Sequence, residues 1–137
     1  MEYSSLAAQE DKFSLLLMTK EELFEQAHYE LAKGNLVGAR DAFQKCVEHA
    51  PDDPEAWNAL AMANLKLNDP EAAITAGIRA TELNPNEPLY WTSLSLAFAR
   101  CKRTAEAEAA AAKAKVLSWG GKLASGGWDA LRQSQKK

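Results

Sequence analysis

Residues 51–61 read PDDPEAWNALA, and residues 85–95 read PNEPLYWTSLS. Each stretch has two prolines three positions apart, followed by a tryptophan and a leucine, and the second begins thirty-four residues after the first. A repeat of this length is typical of helical arrays, in which each copy is one supersecondary unit and neighbouring copies bury a shared core. The two stretches therefore predict a repeat protein.

The same period runs beyond these two stretches. It aligns Leu23 with Trp57 and Trp91, Ala27 with Ala61, Ala39 with Ala73 and Ala107, Cys46 with Ala80 and Ala114, and Pro51 with Pro85. The sequence therefore predicts three units, at 20–53, 54–87 and 88–121.

Each unit has the local signals of two helices joined by a turn. Asp53 is a predicted N-cap with Pro54 in the first turn, where a missing N–H costs nothing. Asp69 begins a second helix in the same way, and Thr19 with Glu22 forms a predicted capping box. Small residues in the alanine column let the paired helices approach closely.

This pattern resembles the tetratricopeptide repeat (TPR) family, in which aromatic, leucine and small residues recur at fixed places. The matching residues are Leu23, Ala27, Gly34, Ala39, Phe43, Cys46, Pro51, Trp57, Leu60, Ala61, Ala73, Ala80, Pro85, Trp91, Leu94, Ser95, Phe98, Ala107 and Ala114. The resemblance implies an all-α, right-handed helical-repeat solenoid of three helix-turn-helix units with flanking N- and C-terminal helical segments.

Some positions depart from the family pattern. Gln26 stands where leucine is usual, and Glu30 and Asn64 stand where an aromatic residue is usual. Gly77 and Ala111 take the place that Phe43 holds in the first unit, and Trp119 replaces the exit proline. The first helix of unit one and the second helix of unit three are therefore expected to be the weakest packers.

Two terminal segments flank the repeats. Residues 1–19 form an N-terminal extension that is rich in apolar residues, and we expect it to be helical or to lie in a groove or cap. Residues 122–137 are expected to form a C-terminal capping helix and tail, in which Trp128 and Leu131 cover the end of the solenoid.

Composition and motifs exclude several classes of function. The net charge of −3 gives no reason to expect a nucleic-acid partner. Cys46 and Cys101 lack metal-ligand spacing, so no metal or other cofactor is predicted. The N-terminus lacks a basic region, and its apolar run is too short for a signal core or a membrane span, so we expect a cytoplasmic protein without membrane insertion.

No recognisable catalytic arrangement stands in the sequence. It lacks a glycine-rich phosphate loop and any nucleophile–base motif, and it contains two histidines, His28 and His49. We therefore expect a protein that is not an enzyme.

The TPR resemblance implies a concave groove lined by the first helix of each unit. The residues predicted to line this peptide-binding groove are Phe24, His28, Leu31, Asn58, Met62, Leu65, Lys66, Thr92, Leu96, Ala99 and Arg100. Their apolar members favour binding of an apolar peptide or an amphipathic helix of a partner protein. The predicted function is thus a protein–protein interaction module, an adaptor, scaffold or chaperone-like protein.

The best-known TPR ligands are acidic C-termini of heat-shock chaperones, held by a ring of Lys, Asn and Arg. The matching positions here are Phe24, His28, Ala59, Leu89 and Ser93. Since none of them carries a lysine, asparagine or arginine, that type of co-chaperone activity is disfavoured.

In an alternative interpretation, a segment of the chain itself occupies the groove. Leu6, Phe13 and the run from Leu15 to Met18 need burial, and they could stack on the first unit, lie in the groove, or join two copies. In that case the protein is a self-associating assembly unit, a homo-oligomer whose groove holds its own or a neighbouring N-terminal segment.

Overall fold

The computed structural model describes residues 18–120, which form six α-helices. The helices are α1 (Lys20–Ala32), α2 (Leu36–His49), α3 (Pro54–Lys66), α4 (Pro70–Leu83), α5 (Pro88–Arg100) and α6 (Thr104–Ser118). Each helix packs chiefly against the next along the chain, and α3 also contacts α5. This arrangement confirms the predicted all-α helical-repeat fold.

The predicted flanking segments lie outside the described residues. Only Met18 and Thr19 of the N-terminal extension are described, and the predicted C-terminal helix with Trp128 and Leu131 is not. Within residues 18–120, no helix has both the length and the apolar character needed to cross a membrane.

The helices begin at the predicted caps. Asp53 Oδ1 accepts a hydrogen bond from the Glu55 backbone N–H at 3.1 Å, and Asp69 Oδ1 accepts one from the Ala72 N–H at 3.3 Å. Thr19 Oγ1 likewise accepts from the Glu22 N–H at 3.2 Å. These side chains satisfy backbone donors that have no partner inside the helix.

One hydrogen bond explains why proline and tryptophan recur together. The Trp57 indole N–H donates to the Pro51 carbonyl at 2.8 Å, and the Trp91 indole N–H donates to the Pro85 carbonyl at the same distance. In both units, the bond ties the first helix to the segment that precedes it. The repeated proline and tryptophan therefore form the same tertiary contact in both units.

The two tryptophans differ in burial. Trp91 is 0% exposed, whereas Trp57 is only partly buried. The Lys113 ammonium lies 5.5 Å from the centre of the Trp91 ring, and burial lowers the pKa of Lys113. Arg79, thirty-four residues earlier, instead lies 4.0 Å from Asp52, so the cation near Trp91 has no counterpart over Trp57 among the described residues.

Gly77 has a packing reason for replacing the usual bulky residue. A Cβ atom added to Gly77 would lie 3.1 Å from Leu94 Cδ1, which is closer than ordinary contact. The missing side chain thus lets α4 approach α5 directly. In α6, by contrast, the buried residues are all alanines, Ala107, Ala110 and Ala114, so this helix contributes little apolar volume to the core.

The turn between the two helices of each unit contains a residue with positive φ. Gly34 has φ +82°, Asn68 has φ +61° and Lys102 has φ +62°, at thirty-four-residue intervals. Glycine adopts this left-handed region freely and asparagine tolerates it, whereas a residue such as lysine is strained there.

Two substitutions at this turn should change stability in opposite directions. Gly34→Ala should lower the free energy of unfolding by about 1 kcal/mol, since nothing lies within 4 Å of the added Cβ and only backbone strain counts. Lys102→Gly should raise it, by up to about 1 kcal/mol. Urea denaturation followed by circular dichroism measures both changes. A Lys102→Gly variant less stable than the parent would contradict this account.

Candidate peptide-binding groove

A pocket of about 420 Å³ lies across α1, α3 and α5, the first helices of the three pairs. It is open along one side, so it forms part of a groove. Its lining residues are Phe24, His28, Leu31, Phe43, Glu55, Asn58, Ala59, Met62, Ala63, Lys66, Glu87, Leu89 and Tyr90.

An aromatic cluster forms one wall of the pocket. The rings of Phe24 and Phe43 meet edge to face, with centroids 5.6 Å apart and planes at 72°. The ring of His28 meets Phe43 at 5.6 Å and 82°. Phe43 is 1% exposed, so packing fixes it rigidly, while Phe24 is half-buried and leaves part of its surface open to the pocket.

The face of α3 changes character along its length. Glu55, Asn58, Met62 and Lys66 follow one another at spacings of three or four residues, which places them on one side of a helix. Glu55 and Lys66 are about 16 Å apart along the helix axis, at a rise of ~1.5 Å per residue. The pocket therefore has an anionic end, an apolar middle and a cationic end.

Carboxylates gather at the anionic end. Burial raises the pKa of Tyr90, and the neighbouring charges of Glu55, Glu87 and Asp53 raise it further. Lys20 Nζ lies 2.7 Å from Asp53 Oδ2, and this hydrogen-bonded pair raises the pKa of Lys20. Lys20 thus pairs with Asp53 and attracts Glu55 more weakly, while neither Glu55 nor Glu87 forms an ion pair with a described residue.

The polar groups at this end are mainly hydrogen-bond acceptors. Glu87 Oε1 accepts from the Leu89 backbone N–H at 3.2 Å and so caps α5. Asn58 Oδ1 is buried and has no hydrogen-bond donor among the described residues. An acceptor buried in this way carries a free-energy cost of about 1–3 kcal/mol unless something donates to it.

The structure brings part of the predicted groove together. The predicted residues that line the pocket are Phe24, His28, Leu31, Asn58, Met62 and Lys66. Leu65 is 2% exposed and belongs to the core, because its side of α3 faces inward. The predicted residues Thr92, Leu96, Ala99 and Arg100 do not line the pocket. The Arg100 guanidinium instead donates to the Leu65 carbonyl at 2.9 Å, which links α5 to α3.

Some pocket residues were missing from the predicted site. Phe43 comes from α2, a second helix, and it forms part of the wall beside the small side chains of Ala59 and Ala63. Tyr90 lies directly after Leu89 in the first turn of α5. No preceding helical turn indicates from the sequence which side of the helix it occupies. The position of Phe43 in the TPR pattern predicts a residue packed in the core. It does not predict that Phe43 borders the groove.

Within residues 18–120, no cluster of three His, Cys, Asp or Glu side chains could hold a metal ion. Cys46 is buried, and burial raises the pKa of its thiol to about 11, which makes it an unreactive filler.

A sequence model of the tetratricopeptide repeat family matches residues 30–97, which span parts of all three units. The chain belongs to the tetratricopeptide repeat family. No match was found among curated protein sequences.

Solved TPR structures share this fold at low sequence identity. The TPR2B domain of yeast Sti1 in complex with pHsp70 is 23% identical, with a TM-score of 0.69, over 72% of this chain and 78% of that one. The first TPR domain of Spaghetti (RPAP3), bound to the HSP90 peptide SRMEEVD, is 18% identical, with a TM-score of 0.70, over 85% and 90%. The Sgt2 TPR domain from Aspergillus fumigatus is 20% identical, with a TM-score of 0.70, over 85% and 77%.

Proposed function

We propose that this TPR chain is a non-enzymatic interaction module, an adaptor or chaperone-like protein, which binds an apolar peptide or amphipathic helix of a partner protein in its groove. The observation that carries the proposal is the open pocket of about 420 Å³ with the Phe24–Phe43 edge-to-face pair as its wall. Pockets of a few hundred Å³ with mainly apolar linings are the usual binding sites of proteins.

The shape of the pocket favours a side chain inserted from a longer ligand. It is formed by side chains from three successive first helices, so a bound segment can contact all three units. Met62 lies at its centre on α3, and methionine adapts its shape to different apolar partners. An amphipathic helix read through apolar residues at i, i+3, i+4 and i+7 fits such a groove.

The similar TPR structures support peptide binding, but the residues of this chain favour a different kind of ligand. One neighbour holds the HSP90 peptide SRMEEVD, which ends in acidic residues. In this chain, Leu89 is 56% exposed at the pocket rim, Phe24 forms the wall and Ser93 donates its hydroxyl to the Leu89 carbonyl at 3.1 Å. These positions offer no cation to an acidic peptide, so we propose an apolar ligand instead.

A peptide selection tests the proposal. A random display library of peptides about 16 residues long, enough for a helix of about 24 Å, is selected on immobilised full-length protein. We expect recovered peptides to share apolar residues at helical spacing, because the pocket offers mainly apolar surface. Fluorescence anisotropy then gives their affinities in solution.

The same selection can contradict the proposal. Failure to enrich any peptide with this apolar pattern would argue against an open binding groove. Peptides that bind through the surface of α2, α4 or α6 would do the same, since those helices lie outside the proposed site apart from Phe43.

A further inference from the structure

We infer that the ligand carries a lysine or arginine about 10 Å from its apolar anchor, held at the Glu55–Glu87 end of the pocket. The inference rests on the proposed function and adds the charge pattern of the ligand. The partner segment is thus a basic amphipathic peptide. Its charge is opposite to that of the acidic peptide SRMEEVD, which is bound to one of the similar TPR domains.

The two glutamates are free to receive a cation. Glu55 makes no ion pair or hydrogen bond through its carboxylate with another described residue, and Glu87 uses one of its oxygens to cap α5. Lys20, the pKa of which Glu55 also raises, is already paired with Asp53 at 2.7 Å. A ligand cation would therefore meet two carboxylates that form no ion pair with a described residue, although Lys20 exerts a weaker attraction on Glu55.

The hydrogen-bonding groups at this end of the pocket also favour a cationic ligand. Asn58, one helical turn from Glu55, holds a buried Oδ1 without a donor. Carboxylates and an amide oxygen all accept hydrogen bonds, whereas lysine and arginine side chains only donate them. Tyr90 lines the same end of the pocket.

Spacing along α3 sets the distance between the charge and the anchor. Met62 lies seven residues after Glu55, which corresponds to about 10 Å along the helix axis. A helical ligand spans this distance in two turns and an extended one in three residues. An acidic residue placed there would face Glu55 and Glu87, and like charges at close range oppose binding.

Neutralising the two glutamates tests the inference. Glu55→Gln and Glu87→Gln keep the size of both side chains and leave an oxygen to cap α5, while Glu71→Gln is a matched control. Glu71 is an exposed glutamate in the first turn of α4, and it does not line the pocket. Each variant is made in the full-length chain and assayed with peptides selected on the parent protein.

The expected result has three parts. Peptides selected on the parent protein are enriched in Lys or Arg about 10 Å from the apolar anchor. Each glutamine at 55 or 87 weakens their binding by about fivefold, the effect of about 1 kcal/mol, and Glu71→Gln leaves it unchanged. Raising the ionic strength from about 0.1 M to about 1 M, which shortens the screening length from ~10 Å to ~3 Å, also weakens binding.

The outcomes separate the two proposals. Apolar peptides with no preference for cations, bound equally by the double glutamine variant, would overturn the charge inference while supporting the groove. A preference for Asp or Glu at that distance would overturn it as well. Recovery of no groove-binding peptide would contradict the proposed function itself.

Discussion

Replacing Trp91 with alanine is expected to lower the free energy of unfolding by about 3–5 kcal/mol, the usual cost of truncating a buried aromatic side chain. Trp91 is 0% exposed and belongs to the core that joins α5 to its neighbours. The substitution also removes the donor to the Pro85 carbonyl, 2.8 Å away. Because domains of this size are stable by only about 5–15 kcal/mol, the variant should be close to unfolding.

Two other tryptophans are the controls for this prediction. Trp119 is 75% exposed, so Trp119→Ala should change the free energy of unfolding by less than about 0.5 kcal/mol. Trp57 makes the same bond to a proline carbonyl but is partly buried, so its alanine variant should lie between the two. Urea denaturation followed by circular dichroism gives all three values. If Trp91→Ala cost no more than Trp119→Ala, the assignment of Trp91 to the core would be wrong.

The repeat period made the fold predictable from sequence. It placed Trp57 and Trp91 at equivalent positions, and the structure gives both the same hydrogen bond. The period could not predict their different burial, because equivalent positions need not have equivalent neighbours: Lys113 lies 5.5 Å from the Trp91 ring, whereas Arg79 pairs with Asp52. The two tryptophans therefore keep the same hydrogen bond to a backbone carbonyl, while the side chains around them differ.

The groove was less predictable than the fold. Residues of α1 and α3 could be placed by helical spacing, and Phe24, His28 and Met62 do line the pocket. Leu65 follows the same spacing but lies in the core, because a few tens of degrees of helix rotation separate a groove residue from a buried one. Phe43 was missed because reading one helix at a time cannot show a side chain that reaches the groove from a second helix.

Replacing Met62 with aspartate is expected to weaken binding of a selected peptide by about 10- to 100-fold. The expected loss corresponds to about 1.5–3 kcal/mol, the value of burying one large apolar side chain. Met62 is half-buried at the centre of the pocket, so aspartate removes the apolar contact and adds a charge. Folding should survive, because Lys66 stands four residues later and can pair with the new carboxylate.

Val37→Asp is the matched control for that substitution. Val37 is 52% exposed near the start of α2 and does not line the pocket. An acidic residue in the first helical turn is favourable, so this variant should fold at least as well as the parent. Leu89→Ser is a second variant in the groove, on α5, and it should fold like the parent because Leu89 is 56% exposed.

Anisotropy titration of one selected peptide against these variants shows whether the face of α1, α3 and α5 binds an apolar segment. We expect a loss of affinity of at least about tenfold, or about 1.4 kcal/mol, for Met62→Asp and no loss for Val37→Asp, with both proteins folded by circular dichroism. Equal affinities for the parent, Met62→Asp and Leu89→Ser would contradict it.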